Sequence, residues 1–552
     1  MRALLGAALC LAMIAALMRA AGRAHRLLHF LQLEHYEGAR LLMWLRRRSS
    51  RRLKLELAGL LAVYAGAVAA RASGEVWLAA LLLLLSCVIA YEGVAEWTMR
   101  AVKPLVLTPR ARRLLATALT PALIVALGAV PVAVLAPSAL AIGVVLLTSW
   151  LLLALSAHVL LSAKLLLAPL ERRVNSRFVD AAERRLREVA PLRIGITGSY
   201  GKTTTKLCVG AVLSADRKTL VSPASFNSHL GLVRTINEHL KQTDEAFVAE
   251  MGMFRRGDIA QLCELVRPSI GVLTAIGPMH LERLGSMESI MAAKGELMEA
   301  LPADGFFITN GDDPRCLAIA KRSSAPVTLF AVENEDAQVR ASSVKMEGGR
   351  THFDLVIEGD EAAHVSAALL GAHNVCNMLA AAAVGWVLGI DPRKIASALE
   401  TVAPPQHRLS SIHNDSTGVV VLDDAYNSNP VGAAAALEVL REHAAKRRLL
   451  VTPGMVELGE LEEQLNRSFG ERAGEVCDLV ILVGGVRTRP MSEGLVASGM
   501  SERDIHVVAD MAAATALLAR LTRRGDVVLF ENDLPDTYLD DPLREERVTA
   551  GR

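Results

Sequence analysis

The sequence predicts an α/β protein with a helical N-terminal part that spans a membrane. Three observations support this prediction. The chain of 552 residues is 52% hydrophobic but only 4% aromatic, and its long apolar stretches lie in the first third. Residues 1–173 hold 20 Lys and Arg against 7 Asp and Glu, whereas the remainder holds 40 against 51. After about residue 190, short β-rich segments alternate with helical ones, as in a parallel sheet covered by helices.

Five apolar stretches each approach the roughly 17 to 25 residues that a spanning helix needs; they cover residues 3–18, 55–70, 76–95, 114–136 and 139–163. Lys and Arg cluster between the first and second stretches and again between the third and fourth. Cytoplasmic loops carry such an excess of Lys and Arg. We therefore expect a multi-pass protein of the cell (inner or plasma) membrane, with its N-terminus outside and its catalytic part in the cytoplasm.

Two alternatives to this topology stay open. Residues 1–22 also fit the loose pattern of a cleaved signal peptide, with Arg2 before an apolar run that ends in small residues. The 55–70 stretch is short and could lie at the membrane interface, and its loss would reverse the orientation of everything that follows.

The remaining composition narrows the function classes. The mildly acidic second part argues against nonspecific binding of nucleic acid. The seven cysteines include no C-x-x-C pair, so neither a disulfide framework nor a zinc site is predicted.

We predict four segments from the pattern of elements. A transmembrane region covers residues 1–170 and a charged linker helix covers 171–190. A central α/β domain at 191–408 follows, with a hairpin turning at Gly348-Gly349. After Pro404-Pro405 a second series of strands indicates a Rossmann-like α/β domain at 409–552.

A glycine-containing loop from Thr197 to Thr204 (Thr-Gly-Ser-Tyr-Gly-Lys-Thr-Thr) joins a predicted strand to a predicted helix. Gly198 and Gly201 let backbone N–H groups surround a phosphate, Lys202 can reach the β- and γ-phosphates, and a threonine hydroxyl can bind Mg²⁺. The loop departs from the general G-x-x-x-x-G-K-[ST] form, because Ile196 occupies the first glycine position. Alone it predicts a nucleotide site, with a coincidental glycine-rich turn as the alternative.

The form T-G-S-x-G-K-T-T resembles the loop of the Mur ligases, and over most of residues 190–535 the chain is most similar to the type that adds D-alanyl-D-alanine. Further motifs follow in the family's order: Phe226-Asn227-Ser228 with Gly231, Glu250-Met251-Gly252, Arg267-Pro268, His280-Leu281-Glu282, Lys294-Gly295-Glu296, Asn310-Gly311-Asp312, Gly371-Ala372-His373-Asn374 with Asn377, His407-Arg408-Leu409, Asp423-Asp424-Ala425-Tyr426-Asn427 and Met455-Val456-Glu457-Leu458-Gly459. One such match could arise by chance, whereas an ordered series of them could not.

The resemblance implies a central ATP-binding Mur-ligase domain with named catalytic and metal-binding residues. Lys202, Glu250, His280 and Lys294 would be catalytic, and Lys294 would carry a carbamate. Two Mg²⁺ sites would use oxygen-rich ligands, drawn from Thr203, Glu250, His280 and the carbamate of Lys294.

The same resemblance implies a nucleotide set and a substrate set. The nucleotide would be held by Gly198, Ser199, Gly201, Lys202, Thr203, Thr204, Asn310, His373, Asn374, Asn377, Arg408 and Asp424. The substrates would contact Asn227, Ser228, Tyr426 and Asn427. The implied reaction is phosphorylation of a carboxylate by ATP, attack of an amine on the acyl phosphate, and release of ADP and phosphate, with catalysis mainly by positioning and electrostatics.

Three departures leave the substrates open. Apolar stretches replace the family's uridine-nucleotide domain, Ser228 replaces a second Asn or Thr, and Phe530-Glu531-Asn532-Asp533 stands where the family carries Lys-Gly-Ser-Arg. The carboxylate substrate could therefore be a soluble small molecule or a lipid-linked peptide, the amine an amino acid or a dipeptide, and membrane lipid a further partner.

Two other function classes remain as alternatives. A folylpolyglutamate-type ligase shares the core, but the Thr203-Thr204-Thr205 run and the Asp423–Asn427 run argue against it. A membrane nucleotide sensor, or a transporter with an attached ATPase, would not need Lys294, and the Leu-Ser-Gly-Gly-Gln sequence of transporter ATPases is absent.

Overall fold

The computed structural model describes residues 2–44, 88–89, 94, 104–135, 138–426 and 428–533. These residues form two compact units, one up to Val174 and one from Asn175 onward. Four long helices begin the described chain: Arg2–Leu33 (α1), Pro109–Leu135 (α2), Ser138–Ala154 (α3) and Ser156–Val189 (α4).

Two helices in the described ranges are long and apolar enough to cross a membrane, Ala7–Leu33 and Pro109–Pro131. They contain most of the predicted stretches 3–18 and 114–136. The predicted stretch 139–163 is not one straight helix, because α3 and α4 meet at a bend of 56°. At this bend the Ser156 hydroxyl donates to the carbonyl of Leu153 at 2.7 Å, a local bond of the kind that competes with the helical pattern.

The other membrane predictions fall partly or wholly outside the described residues. This holds for the stretch 55–70 and for all but three residues of 76–95. The charged segment 171–190 lies almost entirely within α4, which runs to Val189. A separate linker helix is therefore replaced by a continuous one, since Pro169 lies inside α4 without ending it.

The second unit begins with a nine-stranded sheet in the order β2-β3-β1-β4-β5-β6-β7-β8-β9. Its strands are Leu192–Thr197 (β1), Thr219–Val221 (β2), Ala246–Glu250 (β3), Ile270–Leu273 (β4), Phe306–Asn310 (β5), Val327–Ala331 (β6), Val339–Glu347 (β7), Arg350–Ile357 (β8) and Asp360–Ala367 (β9). All pairs from β2 to β7 are parallel. The central strands are short apolar runs buried on both faces, as parallel sheets require.

Helices cover both faces of this sheet. They are Lys202–Ser214 (α5), His229–His239 (α6), Asp258–Val266 (α7), Leu281–Leu284 (α8), Met287–Glu299 (α9), Pro314–Ala320 (α10), Ala372–Val387 (α11) and Pro392–Glu400 (α12). One buried cluster joins α5, α11 and α12 to the sheet, and another joins α6, α7 and α9 to its opposite face. The sheet that carries the phosphate loop therefore lies between two packed layers of helices.

The predicted hairpin is confirmed, since β7 and β8 pair antiparallel and Glu347 lies opposite Arg350. The turn residues Gly348 and Gly349 have φ values of 60° and 72°, which glycine adopts without the penalty that a side chain would bring. The structure adds β9 antiparallel to β8, a strand that the sequence pattern did not predict.

The last part forms a six-stranded sheet in the order β10-β11-β15-β12-β13-β14. Its strands are Ser410–Asn414 (β10), Val419–Asp424 (β11), Arg447–Thr452 (β12), Leu479–Val483 (β13), Ile505–Val508 (β14) and Asp526–Glu531 (β15). Its helices are Pro430–Glu442 (α13), Glu462–Val476 (α14), Arg489–Ala497 (α15) and Met511–Leu521 (α16). All pairs except β10–β11 are parallel, as expected of a Rossmann-like sheet.

Candidate active site

The loop between β1 and α5 has the backbone of a phosphate cradle. Gly198 and Gly201 have φ values of 155° and 78°. A Cβ atom on Gly198 would lie 1.9 Å from the Thr274 hydroxyl oxygen, and one on Gly201 would lie 2.1 Å from Oδ1 of Asn377. Glycine is therefore required at both positions by close packing. The loop leads into the N-terminus of α5, where unpaired N–H groups favour an anion.

Lys202, the first residue of α5, folds back over the loop. Its Nζ donates to the carbonyls of Gly198 at 2.7 Å and Ser199 at 3.2 Å. Burial lowers the pKa of Lys202 to about 8, although Glu250 acts to raise it and Arg408 lowers it further. The ammonium group is thus held at the loop by neutral carbonyls, which a phosphate could replace as partners.

Glu250, at the end of β3, forms hydrogen bonds with α5 and with the segment before α6. Its Oε2 accepts from the Thr203 hydroxyl at 3.0 Å, and its Oε1 accepts from the Asn227 amide at 2.9 Å. Burial alone would raise the pKa of Glu250, but Lys206 and Lys202 outweigh this effect and lower it. Its carboxylate therefore stays ionised beside the phosphate loop.

Lys206 is a site residue that the sequence reasoning did not single out. Its Nζ lies 3.1 Å from Oε2 of Glu250 and donates also to the carbonyl of Ala224. The side chain is 1% exposed, and a buried ion pair of this kind needs such additional hydrogen bonds. The available signal was its spacing, because residues 203 and 206 lie three apart on one face of α5.

Asn374 and Asn377 link α11 to the phosphate loop. The Asn377 amide donates to Oδ1 of Asn374 at 3.0 Å, and its own Oδ1 accepts from the Thr205 hydroxyl at 3.1 Å. His373 is half-buried nearby on α11, and removal of its ring from water lowers its pKa to about 4. Its Nδ1 has no hydrogen-bond partner in the described ranges, which leaves a buried polar atom available to a nucleotide.

Two predicted site residues have local roles in the structure. Asn310 accepts from the backbone of Asp312 at 2.9 Å and so shapes the turn after β5. Ser228 caps α6 by accepting from the N–H of Gly231 at 3.3 Å. These bonds do not exclude ligand contacts, and the proposed ligand roles of Asn310 and Ser228 stay predictions.

Lys294 is a buried lysine on α9. It is 3% exposed, and among the described residues no hydrogen bond or ion pair holds its ammonium group. Burial lowers the pKa of Lys294 well below its ordinary value, and the positive charge of Lys202 lowers it further. Burial without a counter-ion favours the neutral form of an amine, which is its nucleophilic form.

His280 faces the C-terminal domain. Its Nδ1 lies 2.6 Å from Oε2 of Glu457, and Nη2 of Arg283 lies 3.4 Å from the other carboxylate oxygen. Within the described ranges, no group of three or more His, Cys, Asp and Glu side chains is arranged to hold a metal. Glu250 and His280 therefore have separate protein partners in this structure, and their metal roles stay predictions.

Arg408 and Tyr426 lie where the two α/β domains meet. The Arg408 guanidinium carbon is 4.2 Å from the centre of the Tyr426 ring, and the Tyr426 hydroxyl donates to the Ser225 hydroxyl at 2.8 Å. The effect of Arg408 on the pKa of Lys202 puts this positive charge within electrostatic range of the phosphate loop. Asn427 lies outside the described residues.

Half-buried Asp424 and fully buried Glu531 form a carboxyl pair at the ends of β11 and β15, where they are register partners. Burial raises the pKa of Asp424 to about 6 and that of Glu531 well above its usual range. The Ser428 hydroxyl donates to Glu531 at 2.6 Å, and the backbone of Leu409 donates to Asp424 at 3.0 Å. In this structure Asp424 contacts Glu531 and Leu409, and its predicted contact with the nucleotide stays a prediction.

Replacing Glu531 with Gln is expected to stabilise the C-terminal domain at pH 7.5 by about 2 kcal/mol. Both carboxyl groups have raised pKa values in the folded state, so folding holds extra protons and stability falls as pH rises through about 6. The amide oxygen can still accept the Ser428 bond, and a glutamine takes up no proton when the domain folds. Thermal unfolding should show a higher Tm for the variant at pH 7.5 and a smaller gain at pH 5; an equal or lower Tm at pH 7.5 would contradict the prediction.

Nucleotide affinity is expected to fall above about pH 8, because Lys202 loses its proton there in the free protein. Phosphate favours the ammonium form, so binding at higher pH must take up a proton, and the Kd for ADP should rise by up to about tenfold per pH unit. Calorimetric titration between pH 7 and 9.5 measures this. If the Kd for ADP rises equally with pH in a Lys202→Ala variant, a group other than Lys202 is responsible.

Comparisons with known sequences match both α/β domains. The Mur ligase middle domain matches residues 196–385, and the Mur ligase glutamate ligase domain matches residues 407–531. The chain is 37% identical over 359 residues to the UDP-N-acetylmuramoyl-tripeptide--D-alanyl-D-alanine ligase of Mycobacterium tuberculosis, covering 61% of this chain and 69% of that protein. It is 34% identical over 348 residues to the Bacillus subtilis protein of that name, covering 63% and 74%.

Solved structures agree with these matches. The MurF ligase from Thermotoga maritima in complex with ADP has a TM-score of 0.58 at 27% identity, covering 68% of this chain and 82% of that one. MurF from Acinetobacter baumannii has the same TM-score at 24% identity, covering 67% and 79%, and supports the fold alone.

Proposed function

The chain belongs to the Mur ligase family, and we propose that it joins the amine of D-alanyl-D-alanine, or of a related dipeptide or amino acid, to the free carboxylate of a muramyl peptide. Family membership makes it an ATP-dependent, ADP-forming ligase. The observation that carries the proposal is the phosphate loop with half-buried Lys202 close to the ionised carboxylate of Glu250. This arrangement supports phosphoryl transfer from ATP.

The loop residues would hold the nucleotide phosphates. Lys202 would exchange its carbonyl partners for phosphate oxygens, and His373 would offer its unpaired Nδ1 to the base or ribose. Bound Mg²⁺ would neutralise the transferring phosphoryl group. Thr203 and Glu250 are suited to hold it because they present hydroxyl and carboxylate oxygens 3.0 Å apart, which are the donors that Mg²⁺ prefers.

Lys294 is proposed to carry a carbamate. Its neutral amine can attack CO₂, forming a new N–C bond and releasing a proton, and the product is a carboxylate. Burial beside Lys202 without a counter-ion supports this chemistry, because the modification turns an unpaired amine into an anion next to a cation. The carboxylate would then be an oxygen ligand for a second Mg²⁺.

A membrane location is proposed for the whole chain. The family matches begin at residue 196, and the residues before them include two helices apolar enough to span a membrane. In the proposed topology the protein is multi-pass, its ligase domains face the cytoplasm, and membrane lipid surrounds the helices. Because apolar helices precede the matched region, we propose a lipid-linked peptide as the carboxylate substrate.

The test uses purified full-length protein with ATP and Mg²⁺ and a panel of soluble uridine-linked and lipid-linked muramyl tripeptides. Each is offered D-alanyl-D-alanine, D-alanine or no amine, and phosphate release and product mass are followed. We expect amide product only when both substrates are present, with higher kcat/KM for the lipid-linked peptide. Turnover of the soluble peptide alone would contradict the lipid-linked proposal, and phosphate release without any amide product would contradict the ligase proposal.

A further inference from the structure

Glu457 reaches from the C-terminal domain to a predicted metal ligand of the central domain. It lies in the loop between β12 and α14, whereas His280 precedes the short helix α8. Its carboxylate oxygens face two side chains, with Oε2 2.6 Å from Nδ1 of His280 and Oε1 3.4 Å from Nη2 of Arg283. The motif that contains Glu457 has no role in the ligase mechanism described above.

The contact is fixed from several directions. The His280 side chain is 21% exposed and that of Glu457 is 19% exposed, so solvent screens the pair only in part. The His280 and Phe254 rings pack edge to face with 5.4 Å between their centres. The Arg283 guanidinium lies over the Phe254 ring, 5.0 Å from its centre. The imidazole therefore contacts an aromatic ring and, at one nitrogen, a carboxylate.

The backbone on both sides of the contact is unusual. His280 and Glu457 both have positive φ values, 60° and 64°, in a region where residues other than glycine are strained. The N–H of Glu282 also points to the carbonyl of Glu457 at 3.4 Å. Strained residues facing each other across a domain boundary indicate a contact maintained for more than packing.

The geometry determines which imidazole nitrogen is available. A carboxylate can only accept a hydrogen bond, so in the neutral imidazole the N–H is at Nδ1 beside Glu457 and the lone pair is at Nε2. No hydrogen bond to Nε2 occurs within the described part of the chain. Metal-binding histidines are oriented in the same way by a carboxylate on their second nitrogen.

We propose that Glu457 is a positioning residue that fixes the tautomer and orientation of His280 and so keeps Nε2 available to the divalent cation accompanying ATP. This rests on the proposed function, in which His280 is a metal ligand. Because the two residues belong to different domains, docking of the C-terminal domain prepares the metal site of the central domain. Cation capture is then coupled to assembly of the interface.

The first test measures cation binding without turnover. Full-length protein with ADP, and without peptide or amine, is titrated with Mn²⁺ and free Mn²⁺ is followed by electron paramagnetic resonance. Loss of an orienting carboxylate weakens metal affinity by roughly 10- to 100-fold, so Glu457→Ala should raise the Mn²⁺ Kd by that factor. Glu457→Gln should have a smaller effect, because its amide oxygen can still accept the Nδ1 proton but carries no charge.

Glu460→Gln is the matched control, since it removes an exposed carboxylate from the same loop and should leave the Kd within about twofold. The His280→Ala variant shows how much the Mn²⁺ Kd rises when the imidazole itself is lost. An unchanged Kd in Glu457→Ala or His280→Ala would overturn the inference. Equal Tm values for wild type and Glu457→Gln would show that its effect does not come from unfolding.

A second measurement separates this inference from the proposed function. With substrates present, Glu457→Ala should need a higher Mg²⁺ concentration for half-maximal phosphate release and recover most of its rate at saturating Mg²⁺. A rate lowered equally at all Mg²⁺ concentrations would overturn the positioning role. If wild type forms no amide product, the proposed function fails, while the Mn²⁺ titration still decides the role of Glu457.

Discussion

Lys202→Ala is expected to lower the rate of ADP formation by about 10²- to 10³-fold. The Lys202 ammonium group lies on the phosphate loop, bound only to the carbonyls of Gly198 and Ser199, and no other lysine donates to these atoms in the described ranges. In the reaction it would neutralise charge that develops on the transferring phosphoryl group. The measurement is phosphate release at saturating ATP, with the substrates that the panel identifies.

Two further variants define the cause of this loss. Lys241→Ala removes an exposed lysine from the same domain and should keep the wild-type rate. Lys202→Arg keeps a positive charge but replaces a compact ammonium with a planar group, and should recover only part of the activity. If Lys202→Ala retains more than a tenth of the wild-type rate, the loop is not the site of phosphoryl transfer.

The phosphate loop could be predicted because its residues are contiguous. Thr197 to Thr204 carry the strand end, the glycine turns and the helix start in one segment, so local rules suffice. The alternation of strands and helices likewise predicted two parallel sheets. The third strand of the antiparallel β7-β8-β9 group was missed, because the segment at 360–367 has weak alternation and gains its strand form by pairing with β8.

The two buried pairs of the site could not be predicted, because each depends on the register of strands distant in sequence. Lys206 reaches Glu250 only because β3 lies beside β1 with Glu250 opposite Ile196. Asp424 meets Glu531 only because β11 lies beside β15. The sequence identified the acidic substitution at Glu531 as unusual, but its burial against a second carboxyl group is a property of the assembled sheet.

For the apolar helices, too, the local sequence predicted where the helices lie but not how they bend. Apolar length alone predicted the helices that contain most of residues 3–18 and 114–136. At the bend between α3 and α4 the Ser156 hydroxyl donates to the backbone carbonyl of Leu153, and hydropathy carries no signal for such a bond.

Lys294→Ala is expected to reduce the rate of amide formation by about 10²- to 10³-fold. Short carboxylates such as acetate or propionate should then raise the rate of the variant by about tenfold. The substitution removes the buried amine that would carry the carbamate and leaves space in which a small carboxylate can bind. Rescue follows from the proposed role of the modified lysine, because an added carboxylate can supply the missing metal ligand and balance the positive charge of Lys202. Chloride at equal ionic strength is the control for nonspecific salt effects.

Lys321→Ala is the matched variant, since Lys321 is exposed at the end of α10 and should neither lose activity nor respond to acetate. Removal of CO₂ and bicarbonate should lower the rate of wild type reversibly and leave the rate of Lys294→Ala unchanged, because the variant has no amine to modify. A Lys294→Ala protein with wild-type activity would contradict the carbamate and favour a nucleotide-binding role without ligase chemistry. Loss of activity that no carboxylate restores, together with insensitivity of wild type to CO₂, would make Lys294 a packing residue of α9 instead.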